Sequence, residues 1–123
     1  MKQSQYKPTV IEQDIIDSET EKSATLLLQI DADIHYFQGH FNHYPLLAGV
    51  VQLDWAIYYA KKLLNCDSVF AGMEVIKFQQ AILPKSQVLL SLRWEKEKQK
   101  LYFSYRSGKD NNHSSGRIKL DAL

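Results

Sequence analysis

The chain is poor in cysteine, proline and glycine: one, three and five respectively among 123 residues. With Cys66 alone, no intrachain disulfide can form, so the fold must rest on packing, and a reducing compartment, the cytoplasm, is expected. No cationic group or helix start activates Cys66, so it reads as a small core residue rather than a nucleophile. Charge of one sign is lacking too, since 15 Lys+Arg stand against 14 Asp+Glu for a formal net charge of +1. That balance excludes the basic excess typical of nucleic-acid or anionic membrane-surface partners. No apolar run reaches the roughly 20 residues that span a bilayer, Gln52 and Asp54 interrupting the best candidate. The opening MKQSQYKPTV has no apolar signal segment. Without repeats or low-complexity linkers, residues 1–123 are expected to form one domain, with 1–8 a loose arm ending at Pro8.

What is present is mostly alternation. Thr9 to Ile16 has the β-branched character of a short strand, and Asp17 to Lys22 reads as a charged turn. Ser23 to Ile30 sets Ala24, Leu26, Leu28 and Ile30 on one face, the period-two pattern of a half-buried strand. Val69 to Phe78 is a further strand in which Gly72 marks a bulge or a close backbone approach. Gln87 to Glu95 alternates cleanly, as do the residues from Leu101 to Arg106, and Ser114 to Leu120 follows the turn-rich SGKDNN at 107–112. Between the first pair of strands and the rest lies one helix, Gly49 to Leu64. It has no internal Pro or Gly, and Lys61 and Lys62 stand where cations suit its C-terminus. The order of two strands, a helix and four strands is an α+β pattern, with an antiparallel sheet curled round a central helix. Because the helix is apolar on nearly all sides, it is expected to be buried.

The chemistry gathers at that helix and the loop before it. Asp54 has Val50, Val51, Ile57 and Tyr58 as its neighbours one turn away, and only Tyr58 offers a hydrogen bond. Desolvation among them would raise its proton affinity toward that of a general acid. The alternative is a carboxylate held structurally by a backbone or tyrosine partner. His40, between Gly39 and Phe41, sits in a loop where a histidine serves as a base or simply faces solvent. Gly49 opens the helix, so its N–H has no intrahelical partner and can polarise a carbonyl as charge builds on oxygen. A base, an acid and an oxyanion donor together suit proton removal alpha to a carbonyl with loss of a beta hydroxyl.

These residues resemble a known family. Gly39-His40-Phe41, Pro45, Gly49-Val50 and Leu53-Asp54, with histidine and acid fourteen residues apart, are similar to the signature of FabA/FabZ-type 3-hydroxyacyl-ACP dehydratases. VIKFQQAILPKSQVLLSL resembles the same family's downstream KFxxxVxPGDxL segment. Asn42, Ala48 and Lys85-Ser86 depart from the pattern, which has Pro, Pro and Gly-Asp there. The helix text GVVQLDWA further resembles dehydratases of the aryl-polyene biosynthesis type. The resemblance implies a hotdog fold working as a homodimer, or a heterodimer with another hotdog subunit, and an active site shared between subunits. It implies His40 as the base at C2, Asp54 as the acid at the C3 hydroxyl, and the Gly49 N–H on the thioester carbonyl. The Leu46 carbonyl would orient His40, and Phe41, Leu53, Ile57 and Tyr58 would line the acyl chain's path. The substrate would arrive on an acyl carrier protein, and no metal or redox cofactor is implied.

Other readings remain beside this one. A hotdog thioesterase would hydrolyse the thioester instead, and a non-catalytic hotdog subunit would only assemble. His35, His40 and His43 with Asp31 and Asp33 do not follow a metal-ligand spacing. Lys61, Lys62, Lys77, Lys85 and Arg93 are candidates for contact with an acidic carrier, or ordinary solvated charge.

Overall fold

The computed structural model describes residues 5–34, 47–65 and 68–122, with the backbone alone at 68–70 and 121–122. Among the described residues, six strands and one helix follow in the expected order: β1 (Thr9–Asp17), β2 (Glu21–Gln29), α1 (Gly49–Leu64), β3 (Ser68–Phe78), β4 (Gln87–Glu95), β5 (Lys100–Ser107) and β6 (Asn111–Ala122). All strand pairs are antiparallel, in the spatial order β1-β2-β4-β5-β6-β3. Helix α1 seats on one face of this sheet, the hotdog arrangement.

Register explains why that face becomes the core. Leu26 pairs with Leu90 and Leu90 with Tyr105, while Ala24 pairs with Leu92 and Leu92 with Phe103, so apolar side chains form continuous rows. Val51, Trp55, Ala56, Tyr59, Ala60 and Leu64 of the helix are buried against them. Each large apolar side chain buried this way contributes about 1.5–3 kcal/mol. The opposite sheet face carries the alternate residues. One row there, Thr25, Ser91, Ser104 and Ser115 across β2, β4, β5 and β6, is made of hydroxyls and ends at Asp14 and Lys77 on the two edge strands.

Helix α1 starts after Ala48, which is extended and offers no side-chain cap, and stops at Asn65 in the left-handed region. Asparagine tolerates that conformation better than most residues. Contrary to the sequence expectation, the helix is not buried all round. Its buried positions form a single stripe, and Val50, Asp54, Tyr58, Lys61 and Lys62 face outward. Trp55, by contrast, is fully buried.

Three local features differ from or refine the sequence reading. Strand β6 begins at Asn111 rather than Ser114, because Asn111 and Asn112 continue the pairing with Ser107 and Arg106. Gly72 lies at a bulge, and a Cβ built on it would meet nothing within 4 Å, so close backbone approach on that side is not its role. Lys85 adopts φ 69 while its N–H donates to the Ile30 carbonyl at 2.6 Å. That is the position where the dehydratase pattern has glycine, and only glycine adopts such a φ without steric cost.

Candidate functional site

The helix N-terminus is built from two sides. The Leu47 N–H donates to the Ile82 carbonyl at 2.9 Å, fixing the segment that leads into α1. From inside the helix, buried Gln52 donates through Nε2 to the Leu47 carbonyl at 3.1 Å. Its Oε1 accepts from the Ser114 hydroxyl at 2.6 Å, and its main-chain carbonyl accepts from the buried Tyr105 hydroxyl at 2.7 Å. A buried amide with its bonds made is stabilising, and one left unmade is costly. Burial, with lesser contributions from Tyr59 and Asp54 nearby, pushes the Tyr105 phenol well above its ordinary range. The start of α1 is thus tied to β5 and β6 by side chains within the core.

Gly49 is the first helical residue, and its N–H belongs to the turn that has no intrahelical acceptor. The ring of Phe78, at the end of β3, lies directly over it. Phe78 is itself 55% exposed, so this apolar lid on the helix start faces outward. Just beyond it, the Gln79 and Gln80 N–H groups both donate to the His113 carbonyl. His113 is buried, its Nε2 2.6 Å from the Ser107 hydroxyl and its Nδ1 3.3 Å from the Gln80 carbonyl. That histidine braces the exit of β3.

Asp54 stands on the outward stripe of the helix, five residues and about 7.5 Å of rise beyond Gly49. Its side chain is 64% exposed, so the desolvated carboxylate expected from sequence is not found in the single chain. The reason is geometric: its neighbours Val50 and Tyr58 lie on the same uncovered stripe, and Val50 is 72% exposed. Leu53 and Ile57 flank this stripe and are half-buried against the core. Among the described residues Lys7 pairs with it, Nζ lying 3.9 Å from Asp54 Oδ2 and 4.6 Å from the centre of the Tyr58 ring. Residues 5–8, expected as part of a loose arm, are here tied down. Trp55 Nε1 donates to the Tyr6 carbonyl at 3.1 Å, Gln5 bridges Ile34, and Pro8 is buried.

Gly49, Leu53, Asp54, Ile57 and Tyr58 are therefore gathered along one open side of α1. His40, Phe41 and Leu46 lie outside the described residues, as do His35, His43 and Cys66. Asp31, weighed in sequence as a metal ligand, accepts instead from Gln5 Nε2 at 2.7 Å and the Thr9 hydroxyl at 2.6 Å. Of the cations weighed as carrier contacts, Arg93 is engaged with Glu95 at 2.7 Å and Glu21 at 3.4 Å. A depression of about 370 Å³, lined by Ser23, Thr25, Ser91, Arg93, Tyr102 and Ser104, lies on the sheet face away from the helix and shares no residue with this side. Sequence reasoning missed Lys7, Gln52 and Phe78. Phe78 and Gln52 carried a signal, as parts of segments resembling the dehydratases, whereas Lys7 carried none.

The model of the ApeI-like family, described as ApeI dehydratase, matches residues 16–117. The 3-hydroxyacyl-acyl-carrier-protein dehydratase FabZ of Polynucleobacter necessarius is 24% identical over 102 residues, covering 77% of this chain and 68% of that protein. FabZ of Ruminiclostridium cellulolyticum is 31% identical over 84 residues, covering 63% of this chain and 59% of that protein. Among solved structures, an uncharacterized protein from Erwinia carotovora subsp. atroseptica superposes with a TM-score of 0.86 at 40% identity, over 94% of this chain and 97% of that one. A chain of the dehydratase heterocomplex ApeI:P from Xenorhabdus doucetiae superposes with a TM-score of 0.82 at 36% identity, over 94% and 98%. The chain belongs to the ApeI-like dehydratase family, hotdog enzymes of the FabZ type.

Proposed function

We infer that His40 and Asp54 carry the dehydration of a 3-hydroxyacyl thioester, borne on an acyl carrier protein, to the trans-2-enoyl thioester. The observation that supports this most is the placing of Asp54 on the uncovered side of a helix whose first N–H, at Gly49, has no intrahelical acceptor. The Gly49 N–H donates to the thioester oxygen and stabilises the negative charge that builds there while His40 takes the C2 proton. Asp54 gives its proton to the C3 hydroxyl, which leaves as water. The Leu46 carbonyl orients His40. The acyl chain runs past Phe41, Leu53, Ile57 and Tyr58.

A second hotdog subunit completes the site in this reading. Val50, Tyr58, Met73 and Phe78 leave apolar surface exposed along α1 and the edge strand β3. A partner there would cover Asp54 and supply the dry surroundings that the single chain lacks. A second copy of this chain is the proposed partner. The heterocomplex that one structural relative forms makes a different hotdog subunit the alternative. The proposed setting is the cytoplasm, and among the described residues no helix is long and apolar enough to cross a membrane.

Mass spectrometry of a panel of 3-hydroxyacyl carrier proteins after incubation tests the reading. Loss of water is expected, and His40→Ala and Asp54→Asn should each abolish it while leaving the oligomer intact. Loss of the acyl group would make the chain a thioesterase, and binding without any mass change would make it a non-catalytic subunit.

A further inference from the structure

Lys7 sits in a segment that the fold holds on both sides. Before it, Gln5 forms a parallel bridge with Ile34, and its Nε2 donates to Asp31 Oδ2 at 2.7 Å and to the Lys7 carbonyl at 2.8 Å. Between them, the Tyr6 carbonyl accepts from Trp55 Nε1 at 3.1 Å. After it, Pro8 is buried and the Thr9 hydroxyl donates to the same Asp31 oxygen at 2.6 Å. Trp55, which follows Asp54 directly, thus ties this strap to the helix. The Lys7 side chain crosses the Tyr58 ring and brings its ammonium to 3.9 Å from Asp54 Oδ2.

We propose that Lys7 is a positioning residue for the reaction, holding Asp54 and neutralising the carboxylate that forms as Asp54 gives up its proton. This rests on the dehydration reading above. In that step the C2–H bond breaks and the proton passes to His40, leaving an imidazolium. The C3–O bond breaks, and the departing hydroxyl takes the Asp54 proton and leaves as water. Asp54 is then a carboxylate, and the pair returns to its starting protonation by exchange with solvent. The attraction between the ammonium and Asp54, 3.9 Å apart, is strongest once negative charge has built on the acid, so it grows along the reaction coordinate rather than being uniform. In the single chain the same contact adds little to the fold, because an exposed pair at this distance is screened by water, and in the assembled site the ammonium faces an acid that still holds its proton. That contrast separates a role in the reaction from a structural one.

The test uses the full chain as wild type, Lys7→Met and Lys7→Arg, with a 3-hydroxyacyl carrier-protein substrate. Lys7→Met is expected to lower kcat about tenfold, with KM and the thermal midpoint nearly unchanged. Lys7→Arg, which keeps the charge, should recover most of the rate. An unchanged kcat in Lys7→Met overturns the proposal. So does a loss that tracks KM or the thermal midpoint, or one that arginine does not rescue. A wild-type chain that removes no water from any substrate overturns the dehydration reading and takes this one with it. That result is distinct from an active wild type indifferent to Lys7.

Discussion

The ring of Phe78 occupies the space that a side chain on Gly49 would need: a Cβ built on Gly49 stands 2.6 Å from the ring's Cζ and 2.7 Å from its Cε1. The contact is with the far end of a side chain that is more than half exposed, so it can yield. Gly49→Ala should therefore change stability by no more than about 1 kcal/mol, since alanine's gain in helix propensity offsets the shift of the ring. It should nevertheless cut dehydration, because the new methyl and the displaced ring crowd the first N–H of α1. A thermal melt beside a turnover assay checks both halves, and full activity would remove Gly49 from the site.

Ser114→Ala should be costly without touching substrate. It leaves the buried Oε1 of Gln52 without the hydroxyl that now reaches it at 2.6 Å. An acceptor orphaned in the core costs about 1–3 kcal/mol. Urea titration should show a lower midpoint with an unchanged slope.

Lys85→Gly is expected to stabilise the chain by roughly 1 kcal/mol. The native φ of 69 strains a lysine, and its N–H bond to the Ile30 carbonyl requires only backbone. Glycine loses more entropy on folding, which trims the gain. A lower melting temperature in Lys85→Gly would show that the lysine side chain matters more than the backbone strain.

Alkaline pH should loosen the fold through Tyr59. Burial, helped by the nearby Tyr58, raises its phenol from 10.0 to about 12. The folded state thus binds the phenolic proton more tightly than the unfolded one. That contribution is complete below pH 10 and is lost as pH rises from there toward about 12. Tyr59→Phe should flatten the fall in thermal midpoint over that range by a few degrees. Melts at neutral pH and near pH 11 would reveal the difference.

The helix and the clean strands were legible because each answers to a local rule. Gly49 to Leu64 has no breaker inside it and two lysines at its end, and β4 alternates without exception, so their bounds match the structure. Composition predicts a turn over 107–112, yet pairing with β5 draws Asn111 and Asn112 into β6. The covering of Asp54 could not be read. An apolar helix face looks the same in sequence whether its own sheet or another subunit buries it, so Val50 and Tyr58 signalled a core this chain does not supply. The strap was hidden for a different reason. The bond from Trp55 to the Tyr6 carbonyl joins residues 49 positions apart, and nothing local announces it. Gly49 and Asp54 were legible as a pattern, whereas Lys7 emerges only from their surroundings.

Gln52 has a consequence for how the sheet assembles. Tyr105 and Ser114 are direct partners across β5 and β6, and both hydroxyls end on this one helix residue. If either strand slid by a single position, its hydroxyl would turn to the outer face and a buried oxygen would go unmet. The helix therefore works as a gauge that accepts only the correct alignment of two strands. A slip of two positions would keep the leucines inside, but it could not satisfy that amide.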